Sequence, residues 1–282
     1  MKKNLAKVFL FALFFFLLCS FQKQENTVLL KGEICGINSD TLLLVKTREG
    51  ISSAVKIPVT CNSFIYELEA DFVEKYGLII QEELQEGYFR TTEFFPDTCT
   101  IKFELYPSEK FEKKIISGGE LNKKMTSFKK ETSNLFMPKY KSLEKAMDSL
   151  RSKGNLYTPE FKRLQEKIGK TDDPDKLVRL NTKRNRMSET GEAFTEEAKA
   201  LSVKMDSINQ KMVTWQKKYI KEHDHIYSYS LLISLITQYS TYEGLIEKEF
   251  LTGAFRLFKE KYPDHPYTEK AEKLIKTIAA PD

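Results

Sequence analysis

Thr98-Cys99-Thr100-Ile101-Lys102-Phe103-Glu104-Leu105, then Ser117-Gly118-Gly119, then Glu120-Leu121-Asn122-Lys123-Lys124-Met125-Thr126-Ser127-Phe128: along this stretch the chain changes its period. Cys99, Ile101, Phe103 and Leu105 alternate with polar residues, as in a strand with one buried face. Beyond the glycines, Leu121, Met125 and Phe128 recur at three- and four-residue intervals, the stripe of an amphipathic helix. Working toward the N-terminus, strand-like runs cover 28–36, 41–47, 54–59, 64–69, 76–81 and 88–94. They are punctuated by Asn38-Ser39-Asp40 and Asn62-Ser63, and Pro58 predicts an edge or a bend. Short strands at this spacing without long helices between them predict an antiparallel sandwich or barrel-like module over 27–116.

Toward the C-terminus the helical stripe continues through Phe136, Tyr140, Leu143, Met147 and Leu150, with Pro138 expected to kink or interrupt it. Residues 154–186 are polar, predicting one short helix near 160–168. A long helix follows over 195–222, carrying Ala198, Leu201, Met205, Ile208, Met212, Trp215 and Tyr219. This is the strongest periodic signal, and its single visible stripe predicts intramolecular packing rather than a partner-binding face. His223-Asp224-His225 ends that helix, and three more are expected at 227–239, 243–261 and 267–277. The fold class is therefore α+β by segregation, an N-terminal β module followed by an α-helical region over 120–282.

The N-terminus reads as an export signal over residues 1–19. Lys2, Lys3 and Lys7 precede an apolar run, 8–18, too short for the roughly 20 residues of a bilayer span. Cys19 closes the run before a polar stretch, so a lipoprotein signal is expected, with Cys19 lipidated and the protein tethered to an envelope membrane, the outer membrane in preference. Leu18 departs from the small residue usual there. The alternative is cleavage after Ser20, which leaves a soluble periplasmic protein. The formal charge is +5, and loss of the three signal lysines leaves +2. A chain so nearly balanced has no field to draw nucleic acid.

Cys35, Cys61 and Cys99 remain, with no C-x-x-C spacing and no histidine at zinc-ligand spacing. They read as small buried strand residues. The alternatives are one structural disulfide or a reactive thiol. Glu222-His223-Asp224-His225 lacks a third ligand at useful spacing and reads as a solvated helix terminus. Asp172-Asp173-Pro174-Asp175 lacks the spacing and glycine of a calcium loop and reads as a turn. Gly118-Gly119 lacks the rest of a phosphate loop and reads as a hinge between domains. No catalytic, cofactor or metal-binding constellation is found, and an enzyme is not expected.

The order of Lys31-Gly32-Glu33-Ile34-Cys35-Gly36-Ile37, 94–101, Ile116-Ser117-Gly118-Gly119-Glu120-Leu121-Asn122, and 215–223 with the helices after it resembles the N-terminal region of exported thioredoxin-like thiol-disulfide oxidoreductases. The resemblance implies a small β domain of unknown function and a helical segment. In that family a catalytic thioredoxin domain follows, and the sequence reaches Asp282 about where it would begin, so no catalytic residue carries over. It implies a non-catalytic envelope module, accessory to redox proteins, with another envelope protein as partner. Two alternatives stand beside it: a shortened or split oxidoreductase using Cys35, Cys61 or Cys99, and a sandwich that binds a glycan or peptide.

Overall fold

The computed structural model describes residues 27–240 and 244–279. The signal reading and Cys19 lie outside the described residues. The fold is mixed α+β, with N-terminal sheets followed by helices. It divides into two compact units, one ending at Lys123 and the other beginning at Lys124.

In the first unit β1 (Thr27–Ile34), β4 (Ser63–Glu69), β7 (Thr100–Leu105) and β8 (Ile115–Ser117) form one sheet in the order β4-β1-β7-β8. β2 (Thr41–Lys46), β3 (Val55–Pro58), β5 (Tyr76–Ile80) and β6 (Thr92–Phe94) form the other, in the order β3-β2-β5-β6. Neither closes on itself. One apolar core draws on both: Leu30, Phe64, Ile101 and Phe103 from the first sheet meet Leu42, Ile57, Leu78 and Phe94 from the second. On the opposite face of β2 and β5, Leu43, Val45 and Ile79 form a smaller cluster with Leu84 of the short helix α1 (Gln81–Gln85). Covering on both faces is why residues 42–45 are apolar without alternation.

The expectation of a purely antiparallel module needs correction, because β1 and β7 pair in parallel. Five strands of chain separate them and all but β4 lie in the other sheet, so the return can arrive in the same direction. The strand expected at 88–94 is only Thr92–Phe94, and Tyr88 and Phe89 are exposed. Pro58 does lie on an edge strand. The β3–β4 connection is a two-residue turn with positive φ at Cys61 and Asn62, closed by reciprocal Thr60 and Ser63 backbone bonds. This is the type I′ geometry that suits the twist of a hairpin.

The turn at Gly118-Gly119 is held rather than loose. Asn122, buried on α2 (Glu120–Ser152), accepts the Phe95 N–H at 2.8 Å. Its amide donates to the carbonyls of Phe95 at 2.8 Å and Gly118 at 3.0 Å. Asp97 Oδ2 accepts the Leu121 N–H at 2.6 Å, a cap for the helix start, while burial pushes the Asp97 carboxyl up. Gly119 sits at φ 83°, and a Cβ there would lie 1.9 Å from Asp97 Oδ1, so only glycine fits.

In the second unit Pro138 does not interrupt α2. It and Asn134, whose carbonyl loses its partner, are exposed, so water can satisfy that carbonyl. α3 (Pro159–Gly169) and α4 (Pro174–Glu189) bury Phe161, Leu164 and Met187 together. α4 was not expected. Asp173 caps it, accepting from the Asp175 and Lys176 amides, with Pro174 in its first turn. The turn read at Asp172-Asp173-Pro174-Asp175 is thus a helix start. α5 (Glu196–Glu222), α6 (Ile226–Thr237), α7 (Lys248–Lys261) and α8 (Pro266–Ala279) complete the unit. α6 is buried on nearly all sides, as its apolar composition requires. Phe128 packs between Trp215 and Tyr219 of α5 and Tyr227 of α6.

Candidate binding groove

α5 and α7 leave a groove of about 780 Å³ between them. Ile220 of α5 and Phe258 of α7 are buried at its base, and Phe250, Ala254 and Leu257 line its α7 side. Leu257 is 64% exposed, a large apolar side chain left uncovered beside that floor. Positions 250, 254 and 257 fall at i, i+4 and i+7, a second stripe beside the buried Leu251 and Phe258.

Ion pairs span the groove at two places. Lys217 pairs with Glu247, and Lys261 with Asp224 at 2.5 Å. Hydrogen bonding to these lysines holds both carboxyls below their usual range. Lys217 is unusual in being largely buried, its side chain 16% exposed. Its ammonium lies 5.2 Å from the Phe250 ring centroid, and that of Lys221, one turn on, lies 5.6 Å from the same ring. Two cations thus approach one aromatic ring. The arrangement offers an apolar bed with fixed cations at its side, which can bind and orient a ligand.

No protein-family model, curated protein or solved structure matches this chain.

The histidine cluster differs from its reading as a solvated terminus. His223 and Asp224 are exposed, but His225 is half-buried and caps α6, Nδ1 accepting the Ser228 N–H at 3.2 Å. Its Nε2 faces the Tyr219 hydroxyl at 3.5 Å. Burial, reinforced by the positive charges of Lys124 and His223, pushes its pKa down to about 4. His265, also buried, caps the start of α8 by accepting the Tyr267 N–H at 3.1 Å. Among the described residues no group of His, Cys, Asp and Glu could hold a metal ion.

The cysteines are not buried strand residues. All three are free: Cys35 is half-buried just after β1, while Cys61, in the β3–β4 turn, and Cys99, just before β7, are exposed. Sequence reasoning expected α5 and α7 but not the groove. Its signals were Val213 and Ile220, which widen the apolar surface of α5 past the Ala198–Tyr219 stripe, and the doubled stripe on α7.

Proposed function

We propose that this chain is a non-catalytic binding module of the bacterial cell envelope, exported by residues 1–19 and anchored in the outer membrane through a lipid on Cys19. The groove between α5 and α7 supports it most directly, since it offers an apolar bed and fixed charges without a nucleophile and base set for reaction. The partner is an envelope protein, with accessory service to a thiol-disulfide redox protein on a separate chain as the reading the family resemblance favours. For the β unit we propose a sandwich, supported by the single core to which both sheets contribute. Among the described residues no helix is long and apolar enough to cross a membrane, so in this reading attachment rests on the lipid.

Intact-mass spectrometry of the mature protein from native membranes tests the anchor. A diacyl or triacyl mass on Cys19 is expected, and a chain beginning after Ser20 without lipid would remove the anchor. Purified protein should show no disulfide reductase or peroxidase turnover, and robust turnover would overturn the non-catalytic reading.

The exposure of Cys61 and Cys99 favours a second reading, a shortened or split oxidoreductase that exchanges thiols through one of them. It predicts rapid alkylation of the folded protein at Cys61 or Cys99 and a trapped mixed disulfide with an envelope protein. Resistance of all three thiols to alkylation ends it.

A further inference from the structure

The α5/α7 groove has a chemistry that narrows its ligand. Along its α7 side the apolar stripe from Phe250 to Leu257 runs about 10 Å at 1.5 Å per residue. A groove of about 780 Å³ falls within the ordinary range of small-molecule sites. The lysines at one end are its distinguishing feature. Lys217 and Lys221 lie one helical turn apart and both approach Phe250, with Glu247 as the carboxylate beside them. Two ammonium groups against one carboxylate leave an excess of one positive charge next to an apolar bed. Over the whole lining three lysines meet three acids, so the excess is local to the Phe250 ring; Glu249, the third acid, sits in the first turn of α7, where a helix N-terminus favours a carboxylate. Lys261 and Asp224, also on the groove's lining, neutralise each other. Among the described residues Lys221 has no carboxylate within ion-pair distance, and Lys217, though paired with Glu247, is largely buried, where charge interactions are screened less.

We propose that this groove binds a single-chain monoanionic amphiphile, a long-chain carboxylate. Its apolar chain lies along Ala254, Leu257 and Ile220, and its head group sits between the ammonium groups of Lys217 and Lys221 over the edge of Phe250. The proposal rests on the binding-module reading and names the ligand class of that site. A monoanion matches the local excess of one charge. A neutral amphiphile would fill the bed while leaving Lys221 without a counter-charge, and an apolar helix of a partner protein would do the same.

The test uses the mature chain with cis-parinarate as probe, below its critical micelle concentration. Energy transfer from Trp215, the single tryptophan, reports binding. Transfer should saturate at one probe per chain, and laurate should displace it about tenfold better than dodecanol, the size of one partly buried charge interaction. Lys217→Gln and Lys221→Gln should each weaken laurate several-fold and leave dodecanol unchanged. Leu257→Gln should weaken both, with helical ellipticity retained because the side chain is already exposed. Non-saturating transfer overturns the proposal, as does equal displacement by laurate and dodecanol, or indifference of laurate to both lysine substitutions. If laurate fails to bind while Leu257→Gln abolishes crosslinking to an envelope protein in intact cells, the amphiphile is excluded and the binding-module reading survives.

Discussion

Replacing Asn122 should loosen the β unit out of proportion to the size of the side chain. Asn122 is 1% exposed and makes three hydrogen bonds of 3.0 Å or less, to the Phe95 N–H, the Phe95 carbonyl and the Gly118 carbonyl. The Phe95 carbonyl also accepts the Asp97 N–H at 3.0 Å, so it keeps a partner when Asn122 is removed. The Phe95 amide loses its side-chain acceptor at a residue with no exposed surface, which costs about 1–3 kcal/mol. The two lost donations and the small void add roughly 1–2 kcal/mol. Asn122→Ala is therefore expected to cost about 3 kcal/mol. Asn122→Asp separates hydrogen bonding from volume. It keeps the size and one acceptor, but replaces a donor with a charge facing two carbonyls and Asp97. It should be at least as damaging as the alanine.

A two-unit chain does not promise a single unfolding transition, so native-state hydrogen exchange resolved by peptide mass is the suitable assay. Amides of β6, β7 and residue 95 should exchange about a hundredfold faster in both variants, the kinetic equivalent of about 3 kcal/mol. Unchanged protection over residues 92–105, or an Asn122→Asp protein as protected as the original, would refute the argument.

His225 should make the helical unit sensitive to mild acid. Its folded pKa, about 4, lies below the unfolded value of 6.5. Its contribution is therefore complete above pH 6.5 and is lost as pH falls toward 4, where the unfolded chain binds the proton first. With its ring half in water the effect is on the order of 1 kcal/mol after allowance for screening. His225→Asn, which keeps a cap acceptor, should flatten the stability curve between pH 4 and 6.5 in denaturant titrations read by Trp215 fluorescence; an unaltered curve would reject the assignment. Thr268→Val should cost more than Tyr229→Phe in the same titration. The Tyr229 hydroxyl lies 2.9 Å from the Thr268 hydroxyl, which itself donates to the Tyr262 carbonyl at 2.7 Å. The phenylalanine removes one bond, about 1 kcal/mol, whereas the valine removes two and strands a buried phenol, about 2–3 kcal/mol, while the Tyr262 carbonyl keeps the His265 N–H at 3.2 Å. Equal costs would mean that the chain of bonds carries no energy.

The β-to-α order was legible because periodicity changes across Gly118-Gly119, and periodicity reports which faces are buried. What that signal cannot carry is polar satisfaction. Asp97 and Asn122 are short polar residues that carry no periodic signal, yet one caps the helix and the other fills the backbone bonds of Phe95. α4 was hidden for a related reason. From Lys176 to Glu189 it is mostly polar, and its start signal, Asp173 before Pro174, reads equally as a turn. The His225 cap shows the same omission, since a neutral imidazole accepts an N–H as a hydroxyl does, although histidine is seldom counted among capping residues.

The groove escaped notice through the opposite error, the assumption that an apolar stripe is covered. On α5 and α7 the apolar residues spread beyond the width that one packing neighbour can cover, with Ile220 beside Lys217 and Lys221, and Leu257 beside Phe258. A helix whose apolar arc exceeds its packing need is either in a wider core or facing an opening. The flanking lysines decide between these, because a core would not place two ammonium groups over one phenylalanine ring. Arc width and flanking charge together mark the opening on α5 and α7, and they do so with the residues on which the ligand proposal stands.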